Sequence, residues 1–304
     1  MTRSIYHPVY WPAWCLIGVL WLLIQLLSYR MLLCLGKIIG LLIFKLDKRQ
    51  RHIASVNINL CFPSLDDKEK ANLLRQSFIS VGIGIFETGL AWWGSDRKLK
   101  NLGHIHGIDN LKATKKDGKG LILFGIHFTT LEIAGRLFAL HGCDFAIIYR
   151  AHKNAFINHL MKKIRQKRYP LAIERNNVRA ILKALKQGKV IWYTPDIDAG
   201  YYDHIFVPFF GISAASMTAT SRLALISKSN ALVSTYYRRD DGTGYDIYLS
   251  PKLENFPTKN IKKDVTLINQ KIEEAVLKKP EQYLWQYKRF KTRPKDERRF
   301  YSTK

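Results

Sequence analysis

Residues 9–28 run Val-Tyr-Trp-Pro-Ala-Trp-Cys-Leu-Ile-Gly-Val-Leu-Trp-Leu-Leu-Ile-Gln-Leu-Leu-Ser without one charged side chain. As a helix this stretch is long enough to cross about 30 Å of hydrocarbon. A second apolar stretch, Met31 to Leu46, is broken by Lys37 and flanked by Arg30 and Lys45, which predicts an interfacial helix rather than a second span. A signal peptide fits less well, because the leading region is weakly basic and no small-residue cleavage site follows. A core hairpin of a soluble protein is the remaining alternative. Trp11, Trp14 and Trp21 suit anchoring at a membrane boundary. Lys48, Arg49 and Arg51 follow the apolar stretches while Arg3 alone precedes them, so the positive-inside bias puts the body on the cytoplasmic side. Residues 1–46 are therefore expected to form a transmembrane and interfacial anchor, and 47–304 the body.

Past the anchor the pattern alternates between helical and strand periods. Residues 66–93 predict a helix whose opening Asp66-Asp67-Lys68-Glu69 is a cap with an acidic first turn. It ends in Trp92-Trp93, read as core packing with a membrane or acyl contact as the other reading. The run Leu-Ile-Leu-Phe-Gly-Ile at 121–126 predicts a buried strand, and 129–134 the opening of a helix. A strand over 144–149 ends at Arg150, a basic helix spans 154–168, and a helix Val178–Gln187 stopped by Gly188 leads to a strand over 189–193. Phe206–Gly211 is followed by a small-residue helix, Ser213–Ala224, which could line an acyl tunnel. Strands Ala231–Tyr237 and Tyr245–Leu249 flank the turn-forming Asp240-Asp-Gly-Thr-Gly244, and Val265–Lys278 predicts a last helix. His104-Ile-His106 reads as a strand with two exposed histidines, since no further ligand stands at metal-site spacing. The succession predicts an α/β fold with a mixed, mainly parallel sheet flanked by helices.

Charge narrows the partners. Lys and Arg number 49 against 24 Asp and Glu, a formal balance of +25, so an anionic partner is expected. No zinc-finger spacing, RNA-recognition aromatic motif or basic repeat supports nucleic acid. Anionic membrane lipid, a phosphorylated glycolipid and an acidic carrier protein fit better. The four cysteines, Cys15, Cys34, Cys61 and Cys143, form no C-x2-C pair, and neither a disulfide framework nor a zinc site is supported.

Candidate chemistry centres on His127-Phe-Thr-Thr-Leu-Glu132, directly after the strand at 121–126. A strand-to-helix turn presents its side chains at the carboxyl edge of an α/β sheet, where such sheets bind ligands, and an imidazole there takes a proton near neutral pH. Glu132 stands about 140° from His127 around an ideal helix, so it reaches back to the ring only if His127 lies in the turn before the helix. That would give a base and its orienting carboxylate with no nucleophilic Ser or Cys beside them, hence direct attack by a substrate hydroxyl. A structural histidine in a basic, membrane-anchored module that binds lipid or nucleic acid is the competing reading.

Read as H-x4-D/E, the pair His127 and Glu132 resembles the signature of the glycerolipid-type acyltransferases. The wider context resembles one branch, the late acyltransferases of lipid A synthesis of lauroyl- and myristoyl-transferase type. The residues that carry it are Arg51-His-Ile-Ala-Ser-Val-Asn57 with Cys61-Phe62-Pro63, Tyr193-Thr-Pro-Asp196-Ile-Asp198-Ala-Gly200, Phe206–Gly211, Thr218, and Pro280-Glu-Gln-Tyr-Leu-Trp285 with Lys288-Arg289-Phe290-Lys291. These blocks keep their order over roughly residues 10–294. The resemblance implies acyl transfer from acyl carrier protein, as co-substrate, to the hydroxyl of a 3-hydroxyacyl chain on a phosphorylated lipid A precursor. It places this activity in lipopolysaccharide or lipooligosaccharide synthesis at the bacterial inner membrane. A glycerophospholipid or a mannosylated phosphoinositide is the alternative acceptor. It further implies His127 and Glu132 as catalytic residues, Arg175 as the arginine before a helix, and Asp196 as an organiser of the site. Arg175, Asp196 and Arg150 are expected to bind substrate. Asp196 and Asp198 could hold a divalent ion, but a thioester is already activated and this chemistry needs neither metal nor cofactor. The basic runs 153–168 and 288–293 are expected to meet phosphate or the carrier protein.

Overall fold

The computed structural model describes residues 7–152, 154–200 and 203–301; Arg3 and Lys153 lie outside them. Helix α1 (Trp11–Leu26) is followed by α2 (Tyr29–Leu46), α3 (Lys48–Cys61), α4 (Asp67–Trp93), α5 (Asp96–Lys100), strand β1 (Gly103–His106) and α6 (Ile108–Lys115). The central part continues with β2 (Leu121–Phe124), α7 (Leu131–Leu140), β3 (Ala146–Tyr149), α8 (Ala155–Arg168), β4 (Leu171–Glu174), α9 (Val178–Lys186) and β5 (Val190–Tyr193). The rest is β6 (His204–Phe209), β7 (Ile212–Met217), α10 (Ala219–Ser227), β8 (Asn230–Arg238), β9 (Tyr245–Leu249) and α11 (Ile261–Lys278).

Seven strands form one sheet in the order β1-β9-β8-β2-β5-β3-β4. Every neighbouring pair is parallel except β8 and β9, so the sheet is mixed and mainly parallel, as the sequence pattern predicts. β2 is central and wholly buried, which explains its unbroken apolar run: a parallel strand covered on both faces has no polar side to show.

The ends of the elements follow from local chemistry. Asp66 and Glu69 close a reciprocal capping box at the start of α4, and the Asn154 side chain accepts from the amides of Phe156 and Ile157 to start α8. The expectation of a helix over Ser213–Ala224 is corrected. Phe209 pairs with Ile212 across Phe210 and Gly211, both at positive φ, so this stretch begins as the return strand of a hairpin and becomes helical only at Ala219. The two-residue turn with both φ positive matches strand twist, and the Phe210 amide donates to Glu273 Oε1 at 2.9 Å.

Pro8–Leu26 is a continuous helical stretch of 19 residues with mean hydropathy 1.7 and 6 % of it buried, long and apolar enough to cross a membrane. α2 behaves differently from a loosely attached anchor. Its Gly36 and Gly40 face Gly82 of α4 so closely that a Cβ on Gly82 would lie 2.2 Å from both the Gly36 carbonyl and the Gly40 nitrogen. Leu32 and Leu33 are buried on the same face, while Met31, Ile38 and Leu42 stay exposed on the other. α2 is thus packed onto α4, and α1 carries more exposed large apolar side chains than any other helix.

Candidate active site

β2 and β5 run parallel in register, with Phe124 opposite Tyr193. His127 stands three residues beyond Phe124 and Asp196 three beyond Tyr193, so equal loops from adjacent strands deliver the two side chains to one place on the sheet's carboxyl edge. There the ring Nδ1 of His127 lies 2.6 Å from Asp196 Oδ1, and the His127 amide donates to Asp196 Oδ2 at 2.8 Å. Asp196 is buried, whereas a quarter of the His127 side chain is exposed. Among the described residues Nε2 has no protein partner.

The pair is electrostatically coupled. Burial disfavours the imidazolium, yet the charge and hydrogen bond of Asp196 outweigh it and hold His127 above its ordinary value. Burial likewise opposes ionisation of Asp196, and His127 through its charge and bonds holds that carboxyl below the ordinary aspartate range. Such a carboxylate fixes the tautomer with the proton on Nδ1 and leaves Nε2 as a base.

The loop carrying His127 is pinned from three sides. The buried Tyr236 hydroxyl accepts from the Ile126 amide at 2.9 Å and donates to the Ile126 carbonyl, while Thr130 Oγ1 donates to the Tyr236 carbonyl at 3.0 Å. From the carboxyl-terminal side, Leu284 N–H donates to the His127 carbonyl at 3.0 Å and Thr129 N–H to the Gln282 carbonyl at 2.8 Å. Thr129 Oγ1 also meets Ser80 Oγ of α4 at 2.7 Å. The Asn57 amide group donates to the carbonyls of Trp285 and Tyr287 at 2.7 and 2.8 Å. The motif blocks around residues 57 and 280–285 thus act as supports for the 126–130 turn.

Glu132 is not the partner of His127. It sits in the first turn of α7, where Trp92 Nε1 donates to its Oε2 at 3.3 Å and Arg165 Nη2 lies 3.5 Å from its Oε1. The expected reach back to the imidazole is corrected because Asp196 occupies Nδ1, while Glu132 is drawn toward α8. Glu132, Arg165, Tyr169, Trp192 and Ile148 wall a small cavity of about 80 Å³. This cavity adjoins the H-x4-E turn.

Arg150 and Arg175 directly follow the paired ends Tyr149 and Glu174 of β3 and β4, and the Arg175 amide donates to the Tyr149 carbonyl at 2.8 Å. Both belong to the same sheet edge, and their charges act on the Tyr287 hydroxyl. With strands about 4.8 Å apart, the end of β4 lies roughly 14 Å from that of β2, and the Arg175 charge also acts on the Tyr193 hydroxyl at the end of β5. Asp198 is occupied elsewhere: its oxygens accept from the Thr292 amide and hydroxyl, each at 2.8 Å. Asp196 and Asp198 therefore do not converge on one ion.

The expectation for the 288–293 run is corrected in part. Arg289 and Arg293 are buried; Arg289 donates to the Ala215 carbonyl at 3.0 Å and Ser216 Oγ at 2.8 Å over the Phe209 ring, and Arg293 pairs with Glu297. Their cations brace the β6–β7 hairpin, leaving Lys291 exposed.

Two residues of this neighbourhood escape sequence reasoning. Tyr236 carries no motif signal within β8. Arg165 is traceable in hindsight: Phe156, Leu160 and Ile164 mark the inward face of α8, and Arg165 flanks that stripe with only 14 % of its side chain exposed.

Comparison with known proteins identifies the family. Residues 1–292 match the family described as bacterial lipid A biosynthesis acyltransferase. The lipid A biosynthesis palmitoleoyltransferase of Escherichia coli (strain K12) is 36 % identical over 302 residues, covering 99 % of this chain and 97 % of the relative. The lipid A biosynthesis lauroyltransferase of the same strain is 34 % identical over 294 residues, covering 96 % and 95 %. The 1-acyl-sn-glycerophosphate acyltransferase PlsC of Thermotoga maritima is 12 % identical over 83 % of this chain and 97 % of its own, with a TM-score of 0.38, too distant a likeness to bear on the assignment.

Proposed function

Since the chain belongs to the bacterial lipid A biosynthesis acyltransferases, we propose that it moves a fatty acyl group from acyl carrier protein to the hydroxyl of a 3-hydroxyacyl chain on a phosphorylated lipid A precursor. The observation that carries the mechanism is the His127–Asp196 pair, with Nδ1 engaged and Nε2 left without a protein partner. Nε2 removes the acceptor hydroxyl proton as the oxygen attacks the thioester carbonyl. The tetrahedral intermediate collapses, the C–S bond breaks, and the proton on His127 passes to the departing thiolate. Asp196 orients the ring and stabilises the imidazolium. The amino end of α7, which starts just past the His127 loop, favours the developing oxyanion through its dipole. Glu132, tied to Arg165 and Trp92, positions substrate beside the base. Arg150 and Arg175, farther along the edge, attract anionic parts of the substrates.

Pro8–Leu26 is read as the membrane span, with the body at the cytoplasmic face of the inner membrane. The second apolar helix and the excess of positive charge add an interfacial and electrostatic hold on anionic lipid.

The test is acyl transfer by the purified full-length protein, with carrier proteins charged with several chain lengths and a phosphorylated lipid A precursor. Transfer is expected, and His127→Ala should lower its rate by about 10²–10⁴. Acylation of a glycerophospholipid or mannosylated phosphoinositide in place of the precursor would overturn the acceptor assignment, and near-wild-type turnover by His127→Ala would overturn the mechanism.

A further inference from the structure

A groove of about 430 Å³ opens between α1, the carboxyl end of α4 and α8, distinct from the cavity at Glu132. Trp21, Trp92 and Trp93 line one side, and Lys163, Lys167 and Arg168 the other; no Asp or Glu lines it. Arg168 is committed to the fold. Its Nε and Nη2 donate to the Trp92 carbonyl at 3.1 and 3.0 Å, and its Nη1 stands 3.6 Å from Asp96. Lys163 and Lys167 differ: both are exposed, and neither has an ion-pair partner among the described residues. They stand four residues apart on one helix face, where like charges repel. An anion between the two ammonium groups removes that repulsion.

We propose that this groove seats a phosphate group of the acceptor lipid at the membrane surface, an inference that rests on the lipid A acceptor reading above. The groove borders α1, the helix apolar enough to cross a bilayer, and tryptophans beside such a helix sit at headgroup level. A lipid held in the membrane reaches this place directly, whereas a carrier protein approaches from water. The link to the chemistry is short. Trp92 lines the groove and donates its indole N–H to Glu132, and α8 supplies both the groove lysines and Arg165, which pairs with Glu132. A phosphate fixed there sets how far the acceptor's chains extend toward His127.

The experiment uses the full-length protein carrying His127→Ala, so that binding is read without turnover, in nanodiscs of zwitterionic lipid. Tryptophan fluorescence is titrated with the bis-phosphorylated acceptor and with the same lipid after phosphatase treatment. The phosphorylated lipid should bind about tenfold more tightly, the gain expected from two partly exposed charge contacts. Lys163→Gln/Lys167→Gln should abolish that preference, while the distant Lys262→Gln/Lys263→Gln keeps it. A preference that survives Lys163→Gln/Lys167→Gln overturns the proposal, as does equal binding of the two lipids by the unaltered groove. A third outcome also overturns it: loss of flotation on phosphatidylglycerol vesicles with the acceptor preference intact, which would make the groove a seat for bulk lipid. If the preference behaves as expected but the wild type acylates no lipid A precursor, the functional reading fails on its own.

Discussion

Arg238 grips both carboxylate oxygens of Glu87, at 2.6 and 2.7 Å, where neither side chain meets much solvent. Burial opposes the guanidinium charge, and the Glu87 carboxylate more than offsets it, holding Arg238 above its ordinary range. The pair joins the strand β8 to α4, and Arg238 Nη1 reaches Ser80, the residue that meets Thr129 in the turn after His127. Removing one partner strands the other charge in the interior. Glu87→Met should therefore cost about 3–5 kcal/mol of stability, and Glu87→Met/Arg238→Met should recover most of that loss. Thermal unfolding of the wild type and both variants in detergent checks it, since a double variant no more stable than Glu87→Met would contradict a mutually neutralising pair.

The pH dependence of transfer follows from the His127–Asp196 geometry. Asp196 holds the imidazole pKa above its ordinary 6.5, and the base works only when neutral. The rate of kcat/KM should thus rise with pH through an apparent pKa above 6.5. Asp196→Asn removes the counter-charge, so burial then acts alone and the rising limb moves to lower pH while the plateau falls by orders of magnitude, as expected when the tautomer is lost. A pH–rate profile of both proteins decides; an unmoved limb would mean that another group is titrating.

Tyr236 tests whether the loop is held from beneath. Tyr236→Phe leaves the Ile126 amide buried without its partner, a cost of about 1–3 kcal/mol, while the Ile126 carbonyl keeps the Phe128 amide. Because Ile126 precedes the base, kcat should drop with KM for both substrates nearly unchanged. Steady-state kinetics measured well below the unfolding temperature separates this from simple instability.

Gly82 reports on the seating of α2. A side chain there meets the backbone of Gly36 and Gly40 rather than a yielding side chain, so Gly82→Val should force α2 away from α4 and lower stability by about 1–3 kcal/mol or more. Protease cleavage between α2 and α3 should quicken in the variant, and an unchanged digestion rate would refute the close crossing.

The sheet and the base were legible because each rests on local pattern. An all-apolar run as short as 121–124, flanked by Gly120 and Gly125, points to a buried strand, and a histidine after it falls at the carboxyl edge. The strand over 189–193 puts Asp196 at that edge in the same way, but its pairing with His127 depends on the register Phe124–Tyr193, which no local pattern encodes. Glu132 was assigned to the nearest imidazole in sequence, whereas Arg165 and Trp92 compete for it from elements far along the chain. The hairpin at 204–217 stayed hidden because its turn uses Phe210 at positive φ, a residue that seldom marks such a turn. Arg289 and Arg293 read as surface charge since nothing in a basic run distinguishes a cation bound to carbonyls indoors from one in water.

The strap from Gln282 to Leu284 that holds the His127 turn has a temporal meaning. A ribosome makes α1, β2 and the H-x4-E turn long before it makes that strap, so in the nascent chain the His127 turn is still unbraced. Only when the strap docks do the His127 carbonyl and the Thr129 amide gain their partners. The turn is set only after Leu284 has been made, and a protein clipped ahead of Gln282 would keep α1 and most of its sheet yet lack a braced His127 turn.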